Sequence, residues 1–238
     1  MRRARSLFGV AAALIVTPLM GMPAWADAAC VTDTVAAYTA AGFSCSVGPV
    51  TFFDITVSAP IIAGPGGGPP LPGPGGGPFL VFGNFNPFNN GTEFGLTLSF
   101  SSNVPAGDQI DFKWDYSVRG DPILVDALLA ISGAPGSGGG IIVSETLTGT
   151  TPIPPLVVRD PPGPDSVTAS LNPPVVSTSV FKDDTIIGGT APGFEGITTQ
   201  SELTNAFSVP APIVGAGLPG LVFACGGLIG LARRRRRY

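Results

Sequence analysis

Histidine is absent from all 238 residues. This removes His-ligated zinc, imidazole general bases and every Ser-His or Cys-His nucleophile pair. Basic residues are scarce in the body of the chain. Arg2, Arg3 and Arg5 open it and Arg233 to Arg237 close it, leaving only Lys113, Arg119, Arg159 and Lys182 between them. All sixteen acidic residues fall between Asp27 and Glu202, so residues 27–208 carry a net charge of −12. Such a surface repels phosphate backbones and anionic lipid, and nucleic acid is not expected as a partner. Uninterrupted helix-forming runs are also missing, because 34 glycines and 26 prolines punctuate the chain and argue against a helical bundle. Cysteine is confined to Cys30, Cys45 and Cys225.

What is present is concentrated first at the two ends. The N-terminal arginines precede an uncharged run from Leu7 to Met20, followed by Ala24-Trp25-Ala26. A charged start, a short apolar stretch and a small-x-small site describe a signal peptide over 1–26. Cleavage after Ala26 would leave Asp27 as the first mature residue. A lipoprotein signal at Cys30 fits less well, since the residue three before it is Asp27 rather than an apolar one. Export would carry Cys30 and Cys45 into an oxidising compartment, where a Cys30–Cys45 disulfide is expected. Cys225 lies within the second apolar run and reads as a packing residue.

That second run, Ile213 to Ala232, is twenty residues without a formal charge, the length of one transmembrane helix. Arg233, Arg234, Arg235, Arg236 and Arg237 follow directly and act as a basic stop-transfer segment that stays cytoplasmic. Six glycines and Pro219 make the run a poor plain anchor and suit close docking against another membrane protein. The motif Val209-Pro210-Ala211-Pro212, the glycine-rich span and the arginine cluster together resemble a PEP-CTERM sorting signal in its VPxP, GAGLPGL variant. The resemblance covers about thirty residues, 209–238. It implies recognition by an exosortase, a membrane protease or transpeptidase that cuts near the motif and passes the protein on to the cell surface or its surroundings. It also implies a Gram-negative exopolysaccharide producer. Ala211 stands where the name-giving motif has Glu, which leaves the exosortase subtype and the cleavage position open. The segment "CVTDTVAAYTAAGFSCSVGPVTFFDITVS" is similar to the mature start of many proteins with such tails.

The body, 27–208, reads as a mainly β domain. A short helix is expected from about Thr34 to Ala40, with Asp33 as its N-cap and an end near Gly42. Beyond it the apolar period is two. Phe53, Ile55 and Val57 alternate with polar residues, as do Phe94, Leu96, Leu98 and Phe100, and Ile110, Phe112, Trp114, Tyr116 and Val118. Further strands are expected near 80–82, 123–131, 141–147, 166–171, 175–182 and 203–207. Turns are expected at Asn89-Asn90-Gly91, Pro105 to Asp108 and Gly120-Asp121-Pro122. The pattern predicts an antiparallel β-sandwich with Gly/Pro-rich loops. The segment 64–78, "GPGGGPPLPGPGGGP", is an exposed loop, and Ala134 to Gly140 a flexible connector.

No coherent catalytic set emerges, so no enzyme, cofactor or metal is expected. Asp108, Asp111 and Asp115 lie close in sequence but match no calcium loop. Asp183-Asp184 reads as a turn pair, and Arg119-Gly120-Asp121 as a tight turn. Phe85, Phe88 and Trp114 would stack on sugars if exposed, although core packing is the default. The expected function is therefore a non-enzymatic exported protein of the surface or matrix. Its partners would be the exosortase and, transiently, the inner membrane. The alternative is a carbohydrate-binding module attached to exopolysaccharide.

Overall fold

The computed structural model describes residues 27–64, 77–161, 163–190 and 193–210. Ala24 and Ala26, most of the 64–78 loop, Ala211, Pro212, the span 213–232 and Arg233–Arg237 lie outside the described residues.

The described chain is mainly β. Its elements are β1 (Asp33–Thr34), α1 (Val35–Tyr38), β2 (Ser44–Val47), β3 (Val50–Val57), β4 (Ile61–Ala63), β5 (Phe79–Asn89) and β6 (Glu93–Asn103). They continue with β7 (Gln109–Ala134), β8 (Gly140–Leu147), β9 (Thr151–Ile153), β10 (Val157–Asp160), β11 (Ser166–Ile187) and β12 (Thr199–Ser208). All pairings between these strands are antiparallel, as the period-two alternation requires.

Two long strands organise a sandwich-like arrangement. The first half of β7 pairs with β3 and β4 on one side and with the second half of β11 on the other. Past Gly120 the same strand continues beside β12, and β12 in turn pairs with β6. Strand β11 bends in concert. Its second half carries β8 and then β10, and its first half carries β9. Strands that change layer through a bend make the corners of such folds. The inner faces meet through aromatic rings, with centroids 5.2 Å apart for Phe85–Trp114 and 5.3 Å for both Phe82–Phe112 and Phe100–Phe112. Gly95 is required for close approach, because a Cβ there would lie 2.1 Å from the Asn205 carbonyl oxygen.

Several expectations are corrected. Gly120-Asp121-Pro122 is not a chain reversal. It lies within β7, whose two expected strands are one: β11 pairs with β7 on both sides of it, at Arg119↔Ser177 and Leu124↔Val175, with a register shift between them. Likewise 166–171 and 175–182 fuse into β11, and Asp183-Asp184 is strand rather than turn. The helix is shorter than expected and is capped by Thr34, whose Oγ1 accepts from the Ala37 N–H at 3.2 Å. In β3 the buried residues are Val50, Phe52 and Ile55, not Phe53, Ile55 and Val57 in strict alternation. Asp54 takes a positive φ of 54°, and the register shifts between Phe53 and Thr56, so a bulge resets the phase. The 134–140 connector is bonded in place: Gly136 N–H donates to Thr198 Oγ1 and Ser137 N–H to the Glu195 carbonyl. The turns at Asn89-Asn90-Gly91 and Pro105–Asp108 form as expected. Asn89 Oδ1 accepts from Gly91 N–H at 2.8 Å, and Asp108 N–H donates to the Pro105 carbonyl.

The Cys30–Cys45 disulfide is formed, with both cysteines in the core. It ties the segment before α1 to β2. It closes a loop of 15 residues, and losing that constraint should cost about 3 kcal/mol on chain-entropy grounds. The paired change Cys30→Ser, Cys45→Ser is therefore expected to lower the urea midpoint. Reductant should do the same to the parent protein, with no effect on the double variant.

Candidate functional site

Asp27 is the first described residue, and its carboxylate is held by the body. It accepts from Ser44 Oγ at 3.0 Å and Thr51 Oγ1 at 3.3 Å, and pairs with Arg119 Nη2 at 3.2 Å. A cleft of about 610 Å³ beside it is lined by Arg119, Gly120, Asp121 and Val176, among others. Its one cation is already engaged with Asp27. The Arg119-Gly120-Asp121 tripeptide is thus an extended strand segment, not a displayed loop.

The aspartates between β6 and the middle of β7 do not converge. Asp111 accepts from Gln109 Nε2 at 2.8 Å and from Thr185 Oγ1 at 2.7 Å, a satisfied outer strand face. Among the described residues no group of three His, Cys, Asp or Glu side chains is placed to hold a metal ion. Phe85 and Trp114 are fully buried, which is their packing role, while Phe88 is half-buried. Pro210 closes the described chain, and Val209 packs its side chain against the core.

The chemically richest place was not found from the sequence: it lies between the layers. Lys182 on β11, Glu145 on β8, Tyr116 and Trp114 on β7 and Asn205 on β12 form one buried cluster. Lys182 is directly opposite both Glu145 and Trp114 in strand register. Its Nζ lies 3.1 Å from Glu145 Oε2, held as an ion pair rather than as an aligned hydrogen bond. It also donates to Asn205 Oδ1 at 3.1 Å and Tyr116 Oη at 3.2 Å. The Tyr116 and Trp114 rings stand 4.3 and 4.5 Å from the same nitrogen. Tyr116 donates its hydroxyl proton to Asn205 Oδ1, and Asn205 Nδ2 donates to the Leu128 carbonyl at 2.6 Å.

Burial dominates the titration of these groups. It pushes Lys182 down to about 8 against the opposing attraction of Glu145, and pushes Glu145 up against that of Lys182. Both shifts favour the neutral pair. Tyr116 is driven well above its ordinary value by burial and then by Glu145, and stays protonated. Two residues along β11, Asp184 is buried too and accepts from Gln200 Nε2 at 2.8 Å. Gln200 in turn exchanges backbone bonds with Ser102 Oγ. Desolvation raises Asp184 to about 8.

A signal for this cluster does exist in the sequence. Lys182 and Asp184 occupy the apolar phase of β11 with Val180 and Ile186. Glu145 stands in phase with Ile141, Val143 and Leu147, and Asn205 with Leu203 and Phe207. Polar residues in an inward phase mark a buried polar network. Comparison with known protein families, curated proteins and solved structures finds no match to this chain, so its function must be argued from its own residues.

Proposed function

We propose that the chain is a non-enzymatic exported protein of the cell surface or extracellular matrix, sorted through its C-terminus by an exosortase. The observation that carries the reading is the three-part order of residues 209–238: the Val209-Pro210-Ala211-Pro212 motif, a glycine-rich apolar span of transmembrane length and five arginines. In this reading 1–26 is the leader and 27–208 is one β-sandwich domain. The span 213–232 holds the protein in the inner membrane only until the sorting enzyme acts. A structural disulfide supports the reading, since such bonds persist in oxidising compartments. So does the acidic, charge-sparse body, which suits a matrix component better than a nucleic-acid or lipid-surface binder.

Mass spectrometry of the protein released from the surface of its host tests the proposal. The expected mature chain begins at Asp27 and lacks Arg233–Arg237. A released protein that retains Tyr238, or one whose length and location are unchanged when the exosortase is deleted, would contradict it.

A further inference from the structure

We propose that Lys182 and Asn205 become joined by an intramolecular isopeptide bond, with Glu145 carrying the proton that the reaction must move. The chemistry requires an amine, a carboxamide and a proton carrier in contact, away from water. All three are present. Lys182 Nζ is 3.1 Å from Asn205 Oδ1, and the electrophilic Cγ lies one C=O bond, about 1.2 Å, behind that oxygen. Glu145 Oε2 is 3.1 Å from the same Nζ. Holding the three groups together in one dry site lets them react as if at very high concentration. The three side chains come from β11, β12 and β8, so the geometry is set by the fold and not by neighbours in sequence.

The step balances without any outside reagent. The Lys182 ammonium passes a proton to the Glu145 carboxylate, and the neutral amine attacks Asn205 Cγ. The Nζ–Cγ bond forms as the C=O electrons move onto Oδ1, which accepts the Tyr116 hydroxyl proton in a hydrogen bond suited to the developing negative charge. When the carbonyl re-forms, the Cγ–Nδ2 bond breaks. A proton relayed from Nζ through Glu145 leaves with Nδ2 as ammonia. Glu145 keeps one proton, and Lys182 ends as a neutral amide nitrogen. A buried ion pair is thereby replaced by uncharged groups. Trp114 and Tyr116 wall off the amine from solvent, and the burial that moves Lys182 and Glu145 toward their neutral forms aids the first transfer.

An ordinary buried ion pair with a hydrogen-bonded asparagine is the competing outcome, and mass decides between them. The full chain, expressed and purified after folding, is denatured and digested with a Glu-specific protease. Glu195 and Glu202 lie between the two residues, so an unmodified protein releases Lys182 and Asn205 on separate peptides. The expected result is one branched peptide containing both, lighter than their sum by one ammonia. Separate peptides of unmodified mass would overturn the proposal. So would ammonia loss confined to an unbranched Asn205 peptide, which is succinimide formation at Asn205. Glu145→Gln keeps the shape but cannot carry the proton and should leave the peptides unjoined. Equal joining in that variant would overturn the role given to Glu145.

Discussion

Replacing Trp114 by alanine is expected to cost about 3–5 kcal/mol of folding stability, the usual range for emptying a large aromatic site in a core. Trp114 is fully buried, and its ring touches both layers. It meets Phe85 of β5 at 5.2 Å and Tyr116 of its own strand at 5.2 Å, and its ring centroid lies 4.5 Å from Lys182 Nζ. Truncation therefore opens a cavity at the junction of the two layers. For a domain whose total stability is on the order of 5–15 kcal/mol, the loss would leave little in reserve. Trp114→Phe should be far milder. The indole N–H has no hydrogen-bond partner among the described residues, so deleting it forfeits packing alone. Denaturant titration at constant slope separates the two variants. A midpoint shift for Trp114→Ala equivalent to less than about 1 kcal/mol would mean that the ring does not occupy the core.

Asp184→Asn is expected to change how stability depends on pH. Desolvation is the main force on this carboxyl, followed by the opposing Gln200 hydrogen bond and then the charges of Asp183 and Asp111, and together they raise it from 3.8 to about 8. Below about pH 4 both folded and unfolded chains hold the proton, and the side chain does not penalise folding. Between about 4 and 8 the folded protein retains a proton that the unfolded chain has released. Stability must then fall as pH rises, by at most about 1.4 kcal/mol per pH unit. Above about 8 the carboxylate is charged in both states, the loss is complete and the curve flattens. Asparagine cannot ionise, and it offers the same carbonyl oxygen to Gln200. The variant should gain stability over the parent at pH 8 and differ little from it at pH 4. Parallel curves for the two proteins from pH 4 to 8 would show that Asp184 is ionised in the fold throughout.

How far the fold could be read in advance depended on what each local rule measures. The alternation from Ile110 to Val118 placed the inner face of β7 correctly, because period-two burial is a property of the strand itself. Gly120-Asp121-Pro122 misled, because turn-forming residues also permit a bend. Whether the chain reverses or only bends is decided by the partner strand, here β11, which lies some fifty residues away in sequence. In β3 the expected apolar phase holds at Ile55 but is one residue out at Phe53, since the bulge at Asp54 is a tertiary adjustment between β3 and β7 that composition does not encode. The disulfide was legible because Cys30 and Cys45 are the two cysteines outside the C-terminal apolar run. The buried cluster was partly written in the chain, as charged residues standing in an apolar phase. Its convergence was not, because Glu145, Lys182 and Asn205 meet only once two layers close on each other.

The position of β12 has a mechanical meaning. It is hydrogen-bonded on both flanks, to β6 and to β7, and residue 209 leaves directly from its end. A protein held by that end is not gripped by a peelable margin. Tension entering there loads two ladders simultaneously, in shear along the strand rather than by unzipping one bond after another, which is the stronger way for a sheet to resist being pulled apart.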